Sequence, residues 1–549
     1  MTSKARKGAD AAGAKATGVG RSLYFTYPHF PFRRPAEMEG RSPRHKVVIV
    51  GGGPVGVTTA LELARFGVPS VVLEAADTFA AGSRAICFSR RTLEILDVLG
   101  VADRVMAKAL SWVHGTSYYK NHQVFRLTMP HGENDKFPPM VNLQQCYLEQ
   151  YLVTAAEAQP LIDLRWQSKV VGLTHGDDGV RLTVETPDGT YDIQADYVVA
   201  SDGARSAVRQ LMGLKLNGQS YEGRYLIADI RMRSSYPTER RAWFDPPSNP
   251  GATILMHKQP DDIWRIDYQL REEDDEQYEL QEQRIRERIN AHLAFIGETA
   301  PWEMDWFSLY KAHSRCLDNY VHGRVIFAGD AAHLVPIFGV RGLNSGMADA
   351  NNLGWKLAAV VTGAAPPALL NSYGHERRAA TLDIFAQAGK STIFMTPPSE
   401  GYALMREAAL RLSVDNEFSR PLINPRQSAP FFYHDSPLNS ADDDAFTGGP
   451  LPGALPPALK LEDGRYLVDL IGRRFTALTF GPAAPALPDV EVIRLPDAAR
   501  ADFHAGPNSV YLLRPDGHVA ARVYDLPTAD RQCWLSAAMT HILGKEHAL

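Results

Sequence analysis

A chain of 549 residues exceeds one ordinary core and predicts about two to four. Hydrophobic residues at 45%, charged residues at 22% and a net charge of −5 describe an ordinary globular protein and give no reason to expect a nucleic-acid partner. Cys87, Cys146, Cys316 and Cys533 show no CxxC spacing, and no apolar run nears the roughly 20 residues that span a bilayer, so disulfides, a cysteine zinc site and a membrane anchor are not expected and a reducing cytoplasm is.

Residues 1–22 carry Lys4, Arg6, Lys7, Lys15 and Arg21 against Asp10 and lack an apolar core. They read as a disordered basic tail, not as a secretory signal or organelle address. Residues 23–44, rich in aromatics and proline, read as an extended arm on the body. Residues 45–50 form an apolar run ending in glycines, residues 58–66 show helical spacing stopped by Gly67, and residues 68–74 are apolar again. This predicts a β-α-β unit. Residues 163–270 contain strand-like runs (180–186 and 263–270 among them) and predict an antiparallel sheet with one covered face. A charged helix is expected over 271–290, a buried strand over 323–329 and a long helix over 342–361. Pro, Gly, Asp and Ser mark a linker over 425–458, and strand-like runs return in a third unit, 459–549. A helical segment with this linker covers 386–458, ahead of the C-terminal unit.

Gly51, Gly53 and Gly56 have the G-x-G-x-x-G spacing around Pro54 and Val55. Gly51 permits the tight turn, Gly53 lets backbone approach a pyrophosphate, and Gly56 lets helix and strand pack closely. Three glycines alone are weak evidence. Here a strand precedes, a helix follows, and Glu74 ends the next strand, where a carboxylate can accept from ribose hydroxyls. Two further apolar strands each deliver an acid beside glycine, Asp202 in 195–209 and Asp330 in 323–333. Taken singly, Asp202 reads as a plain turn and Asp330 as a helix cap. Neither reading accounts for both stretches following a dinucleotide turn in this order.

Together the three stretches resemble the flavoprotein aromatic hydroxylases, the group containing para-hydroxybenzoate hydroxylase and phenol hydroxylase, over about residues 45–385. In length and third unit the chain looks most similar to the 3-(3-hydroxyphenyl)propionate hydroxylase type. The resemblance implies an α/β protein: a discontinuous Rossmann-like FAD-binding domain (45–162, 190–225 and 320–385), sheet-rich and antiparallel-sheet substrate-domain segments (163–189 and 226–319) and a C-terminal thioredoxin-like domain (459–549). It implies bound FAD, NADH or NADPH as a transient co-substrate, and O2. The implied reaction is hydroxylation of a small phenolic compound through a flavin hydroperoxide. By that resemblance Asp330 bonds the ribityl chain, and the backbone of Gly342, Leu343 and Asn344 lies against the isoalloxazine. Pro336 sits at the reacting edge, Asp202 near the pyrophosphate, Arg84 on the adenosine half and Gln145 on the flavin side. His333 is structural and no metal is expected.

The chain departs from the family pattern at Val340-Arg341, where Gly-Gln is usual. Arg341 is expected to favour an anionic ring substituent or to face solvent. Gly339, Gly342 and Gly346 suit a flavin that slides. Candidates for the substrate wall are Trp243, Phe244, His257, Trp264 and Tyr268, with plain core as the alternative for each. No catalytic base is identified. The third unit, with Cys533 as its lone cysteine, is expected to serve packing or a homodimer. A flavin halogenase is disfavoured because no Trp-x-Trp-x-Ile-Pro element occurs. A flavin dehydrogenase or reductase and a flavin-bound interaction module stay as rivals.

Overall fold

Val47, Val48, Ile49 and Val50 are buried, as an apolar strand covered on both faces must be. They lie in β1 (Arg44–Val50), followed by α1 (Pro54–Arg65) and β2 (Ser70–Leu73), and β1 pairs with β2 in parallel. The predicted β-α-β unit is thus present. This computed structural model describes residues 22–41, 43–82, 84–336, 339–423, 429–481 and 489–544. The tail expectation falls almost wholly outside the described residues.

Next come β3 (Cys87–Ser89), β4 (His114–Tyr119), α2 (Gln145–Glu157) and β5 (Gly189–Ala200). After them run β6 (Asn217–Met232), β7 (Arg240–Phe244), β8 (Thr253–Lys258), β9 (Ile263–Leu270), α3 (Glu282–Phe295) and β10 (Trp302–Cys316). Then follow β11 (Val325–Phe327), α4 (Gly342–Val361), α5 (Leu369–Met395) and α6 (Glu400–Asp415).

The first sheet has eight strands and runs β11, β5, β1, β2, Ile162–Arg165 in parallel. The hairpin of Lys169–Gly176 and Gly179–Thr186 pairs antiparallel with the early half of β5. Residues 163–189 therefore extend the dinucleotide sheet and not the substrate sheet, because alternation in a sequence signals a strand without naming its partner. The second sheet, also of eight strands, includes β10, β6, β9, β8, β7 and β4 in that order. β4 enters it by parallel pairing with β7, although its residues lie within the 45–162 block.

This second sheet is two-faced. Leu226, Ile230, Trp243, Met256, Trp264 and Tyr268 pack on Ile285, Ile289 and Leu293 of α3. The opposite face carries Tyr225, Phe244 and Leu255 against Met395 and Leu410, at the end of α5 and in α6. The arm crosses the body: Phe30 stacks on Trp166 with centroids 3.9 Å apart, and the Leu23 N–H donates to Asp305 at 2.6 Å.

The third unit contains β12 (Phe475–Thr479), β13 (Val490–Arg494), β14 (Val510–Leu513), β15 (Val519–Val523) and α7 (Arg531–Ile542). Its four-stranded sheet runs β13, β12, β14, β15. A buried ion pair fastens it to the dinucleotide domain, Arg514 to Glu376 at 2.6 Å, and Lys356 of α4 meets the same Glu376 at 2.6 Å from within that domain. Among the described residues no helix is long and apolar enough to cross a membrane.

Candidate active site

The turn after β1 separates the roles of its glycines. Gly51 has φ +105°, and a Cβ there would lie 2.5 Å from the Ser201 carbonyl oxygen. A Cβ on Gly56 would meet the Gly51 oxygen at 2.0 Å, so that glycine lets α1 close on the turn. Gly53 is different: a Cβ there would meet nothing within 4 Å. Its backbone borders open space at the N-terminus of α1. Pro54 opens the helix, and the first helical bond runs from the Val57 N–H to the Gly53 oxygen at 3.0 Å. The N–H groups of Val55 and Gly56 precede that ladder, at the positive end of the helix dipole.

Glu74 accepts from the Gly52 N–H at 2.7 Å and the Ala76 N–H at 2.8 Å, so it first of all holds the turn. Carboxylate oxygens keep further lone pairs for hydroxyls.

Asp330 enters the same groove after β11. Its carboxylate is reached by solvent even though protein encloses it, and that enclosure raises its pKa against the opposing charges of His333 and Arg84. The two observations describe an acid on the floor of a deep cleft. Among the described residues Asp330 makes no hydrogen bond or ion pair, so the helix-cap alternative finds no donor. Behind it, Asp349 accepts from the Gly329 N–H at 2.9 Å, from His333 at 2.7 Å and from Arg377 at 2.6 Å. His333 is buried in that support.

Asp202 accepts from the Val208 N–H at 3.1 Å, and its Oδ1 is enclosed without a partner. Sequence reasoning passed over Arg209, which donates to the Ala331 oxygen at 3.0 Å and the Ala204 oxygen at 2.6 Å. It ties the Asp202 element to the Asp330 loop. The signal was its place at the end of the 195–209 stretch.

Arg84 is exposed and its charge acts on both Asp330 and Glu149. That places it toward the Asp330 end of the groove. Gln145 accepts from the Ala85 N–H at 3.0 Å and donates to Glu149 at 2.7 Å. Glu149 was not singled out from the sequence; burial pushes its carboxyl up to about 7.

At the start of α4 the first helical bond is from the Ser345 N–H to the Arg341 oxygen at 2.9 Å, leaving the N–H groups of Gly342, Leu343 and Asn344 ahead of the ladder. The Asn344 side chain is fully used: it donates to the carbonyls of Cys87 and Val340 and accepts from the Ser89 N–H and the Thr92 hydroxyl. Pro336 is buried beside this start. Arg341 is buried too, with Asp383 of α5 as its charged neighbour, so it does not face solvent. Gly346 is a packing glycine: a Cβ there would strike Val55 at 2.6 Å.

The structure separates the aromatic candidates. Trp243, Trp264 and Tyr268 lie beneath α3, on the sheet face turned from the groove. A period of two places them on one face but cannot say which face meets the first domain. Phe244 and His257 point the other way. His257 Nδ1 lies 3.9 Å from Cys87 Sγ, and Arg265 of the same face donates to the Arg84 oxygen at 3.0 Å.

The residues present fit FAD: open backbone at Gly53, two helix N-termini whose first N–H groups lie ahead of the helical ladder, and an accessible acid suit a pyrophosphate and a polyol. Comparison with known proteins agrees. A flavin-dependent monooxygenase of Mycobacteroides abscessus is 29% identical over 86% of this chain and 96% of its own. The 3-(3-hydroxy-phenyl)propionate/3-hydroxycinnamic acid hydroxylase of Mycolicibacterium smegmatis is 27% identical over 88% of this chain and 92% of its own. The crystal structure of the flavin-dependent monooxygenase PieE with FAD and substrate superposes with a TM-score of 0.75 at 26% identity, covering 92% of this chain and 99% of that one. A model of the FAD binding domain family matches residues 44–388, and the chain belongs to that family.

Proposed function

We propose that this protein is an FAD-dependent monooxygenase that hydroxylates a small phenolic compound with NADH or NADPH and O2. The observation that carries the reading is the join between the two sheets. Asn344, at the start of α4, holds the Cys87 carbonyl at 3.2 Å, and Cys87 Sγ lies 3.9 Å from His257 on the polar face of the second sheet. A ring bound on that face would lie beside the N-terminus of α4.

Residues of the chain divide the work. Gly53 and the N-terminus of α1 receive the pyrophosphate, Glu74 the adenosine ribose and Asp330 the ribityl hydroxyls, with Arg84, Gln145 and Asp202 along the groove. The N–H groups of Gly342, Leu343 and Asn344, with Pro336 beside them in the chain, would hold the flavin ring and favour negative charge on it. Bound FAD supplies hydride acceptance from the nicotinamide and activation of oxygen. The polar sheet face orients the aromatic ring, and the apolar packing around it keeps bulk water out.

Arg341 remains the proposed partner for an anionic substituent, now from a buried position. The three buried cysteines and the exposed Cys533 are free thiols, which suits the cytoplasm as the proposed compartment. A homodimer is proposed as well, to be read by light scattering.

The experiment is an NADH and NADPH oxidation screen over phenols and phenolic acids in labelled O2. The expected result is slow oxidation alone, marked acceleration by an accepted phenol, and one labelled oxygen atom in the product. Label from water would favour the dehydrogenase rival.

A further inference from the structure

Register places three polar side chains together that are far apart in the chain. Arg241 of β7 pairs with Met256 of β8, which sets Arg240 beside His257. His257 pairs with Arg265 of β9, and Leu255 with Asp267. Side chains alternate between faces, so the packing of Trp243, Met256 and Trp264 beneath α3 turns Arg240, His257, Arg265 and Asp267 the other way, toward Cys87.

All of these are buried: Arg240 is 8% exposed, His257 5%, Arg265 3% and Asp267 4%. Arg265 is accounted for, since it grips both oxygens of Asp229 at 2.8 Å. The other three are not. Among the described residues no hydrogen bond or ion pair reaches the Arg240 side chain, and its Nε is enclosed without a partner. Asp267 Oδ1 is likewise enclosed without one. His257 has its 3.9 Å approach to the Cys87 thiol. Arg240 and Asp267 feel each other's charge but form no ion pair. A buried cation and a buried acid held apart on one face, each lacking a partner, need a ligand with complementary groups.

We propose that Arg240, His257 and Asp267 form the subsite for an acidic ring hydroxyl of the substrate, with Arg240 holding the oxygen as its anion and Asp267 accepting the proton. The proposal rests on the aromatic-monooxygenase reading and deepens it. A hydroxyl satisfies both groups in turn: it donates to the carboxylate, then as an oxyanion accepts from the guanidinium. A substrate carboxylate would suit Arg240 but would meet the Asp267 oxygens, and an ammonium group would do the reverse. In the step the ring O–H bond breaks and a carboxyl O–H bond forms on Asp267. The net charge of the site is unchanged and no electrons are transferred. The ring gains electron density ortho and para to its oxygen, which an electrophilic oxygen donor requires.

The electrostatics agree with that geometry. Burial, aided by Asp229 and opposed by Arg265 and Arg240, pushes Asp267 up to about 7, where a carboxylate can take a proton at neutral pH. Burial and both arginines hold His257 well below its ordinary value, so it stays a neutral hydrogen-bonding group. The charged and titratable groups facing Asp267 are Arg240 of β7, His257 of β8, Arg265 of β9, Asp229 and Tyr225 of β6, and Cys87 of β3. Burial raises Cys87 to about 12, which keeps it a thiol.

The test compares phenols with their methyl ethers on FAD-loaded wild type: phenol with anisole, and 3-hydroxybenzoate and 3-(3-hydroxyphenyl)propionate with their methoxy counterparts. Acceleration of NAD(P)H oxidation is expected from the hydroxy compounds, with kcat/KM about tenfold or more lower for each ether. Arg240→Met should raise KM for the accepted phenol about tenfold, with Arg240→Lys restoring part of it. Asp267→Asn should lower kcat by about a hundredfold and remove the limb near neutrality from the pH profile of kcat/KM. FAD content reports whether each variant has folded. If no aromatic compound accelerates the wild type, the functional reading falls and this subsite with it. If aromatic compounds accelerate it but ethers serve as well as phenols, or Asp267→Asn keeps the wild-type rate and pH profile, the subsite alone is overturned. Should a variant lose FAD, the ether comparison on wild type still decides.

Discussion

Asp330 presents a carboxylate that meets no protein donor among the described residues and is flanked by the charges of Arg84 and Arg209, so its lone pairs are open to a ligand's hydroxyls. Asp330→Ala should therefore weaken FAD binding by about 1–3 kcal/mol, read by titrating apoprotein with FAD. Unchanged affinity would reduce Asp330 to a local role. Glu149 supplies a second test at this scale. Its folded carboxyl, pushed up to about 7 from an ordinary 4.5, binds its proton more tightly than the unfolded chain does. The stability it contributes is full below the unfolded value and is lost as pH rises through the folded one. Glu149→Gln should thus gain on wild type from about pH 5 to about pH 8, by up to roughly 1.4 kcal/mol per pH unit between the two values. Denaturant unfolding of the two holoproteins at each pH measures it, and parallel stabilities would contradict it. Asp330 was readable from the sequence because strand, glycine and acid are contiguous there. Glu149 was not, because its setting depends on burial and on Ala80, Glu74 and Arg84 arriving from other segments.

Between elements, Val55 joins the two nucleotide-binding motifs. It fills the space that a Cβ on Gly346 would enter at 2.6 Å and one on Gly329 at 3.0 Å, so α1, α4 and the Asp330 loop meet on one side chain. Gly346→Ala should cost about 1–3 kcal/mol by overpacking. Adding Val55→Ala should recover part of that loss, which thermal unfolding of the four proteins in the cycle would show. If Gly346→Ala leaves stability intact but alters flavin reduction, the glycine serves ring movement instead. The first motif was legible because its glycines, helix and strand are neighbours in sequence. The sheet was only half legible. Alternation correctly grouped Trp264 with Tyr268, but the choice of face is made by α3 packing over one side and by Cys87 and Arg84 meeting the other. The Arg240, His257 and Asp267 cluster was hidden for the same reason: it comes from three strands and exists through their register.

On the scale of the whole molecule, the third unit bears on the flavin site by packing. Cys533 is an exposed free thiol, so Cys533→Ser should leave turnover unchanged, and a large loss would reopen a redox role. The contact with the first domain combines a buried ion pair with apolar packing of Phe475 on Trp355. Arg514, fully buried, donates to Glu376 of α5 at 2.6 Å and to Asp516 at 2.7 Å. Asp516 in turn accepts from Asn352 at 3.1 Å and from Trp355 at 3.2 Å, both on α4, and its backbone oxygen accepts from Arg91 at 2.6 Å. The same α4 begins at the groove proposed for the flavin, and the third unit steadies the second half of that helix. Replacing one member of such a network leaves the others buried and unpaired, at about 3–5 kcal/mol. Arg514→Ala should lower the unfolding midpoint, and FAD fluorescence should appear at the reduced temperature together with the loss of helical signal. An Arg514→Ala protein that releases FAD and unfolds as wild type does would mean that the third unit contributes nothing to holding α4.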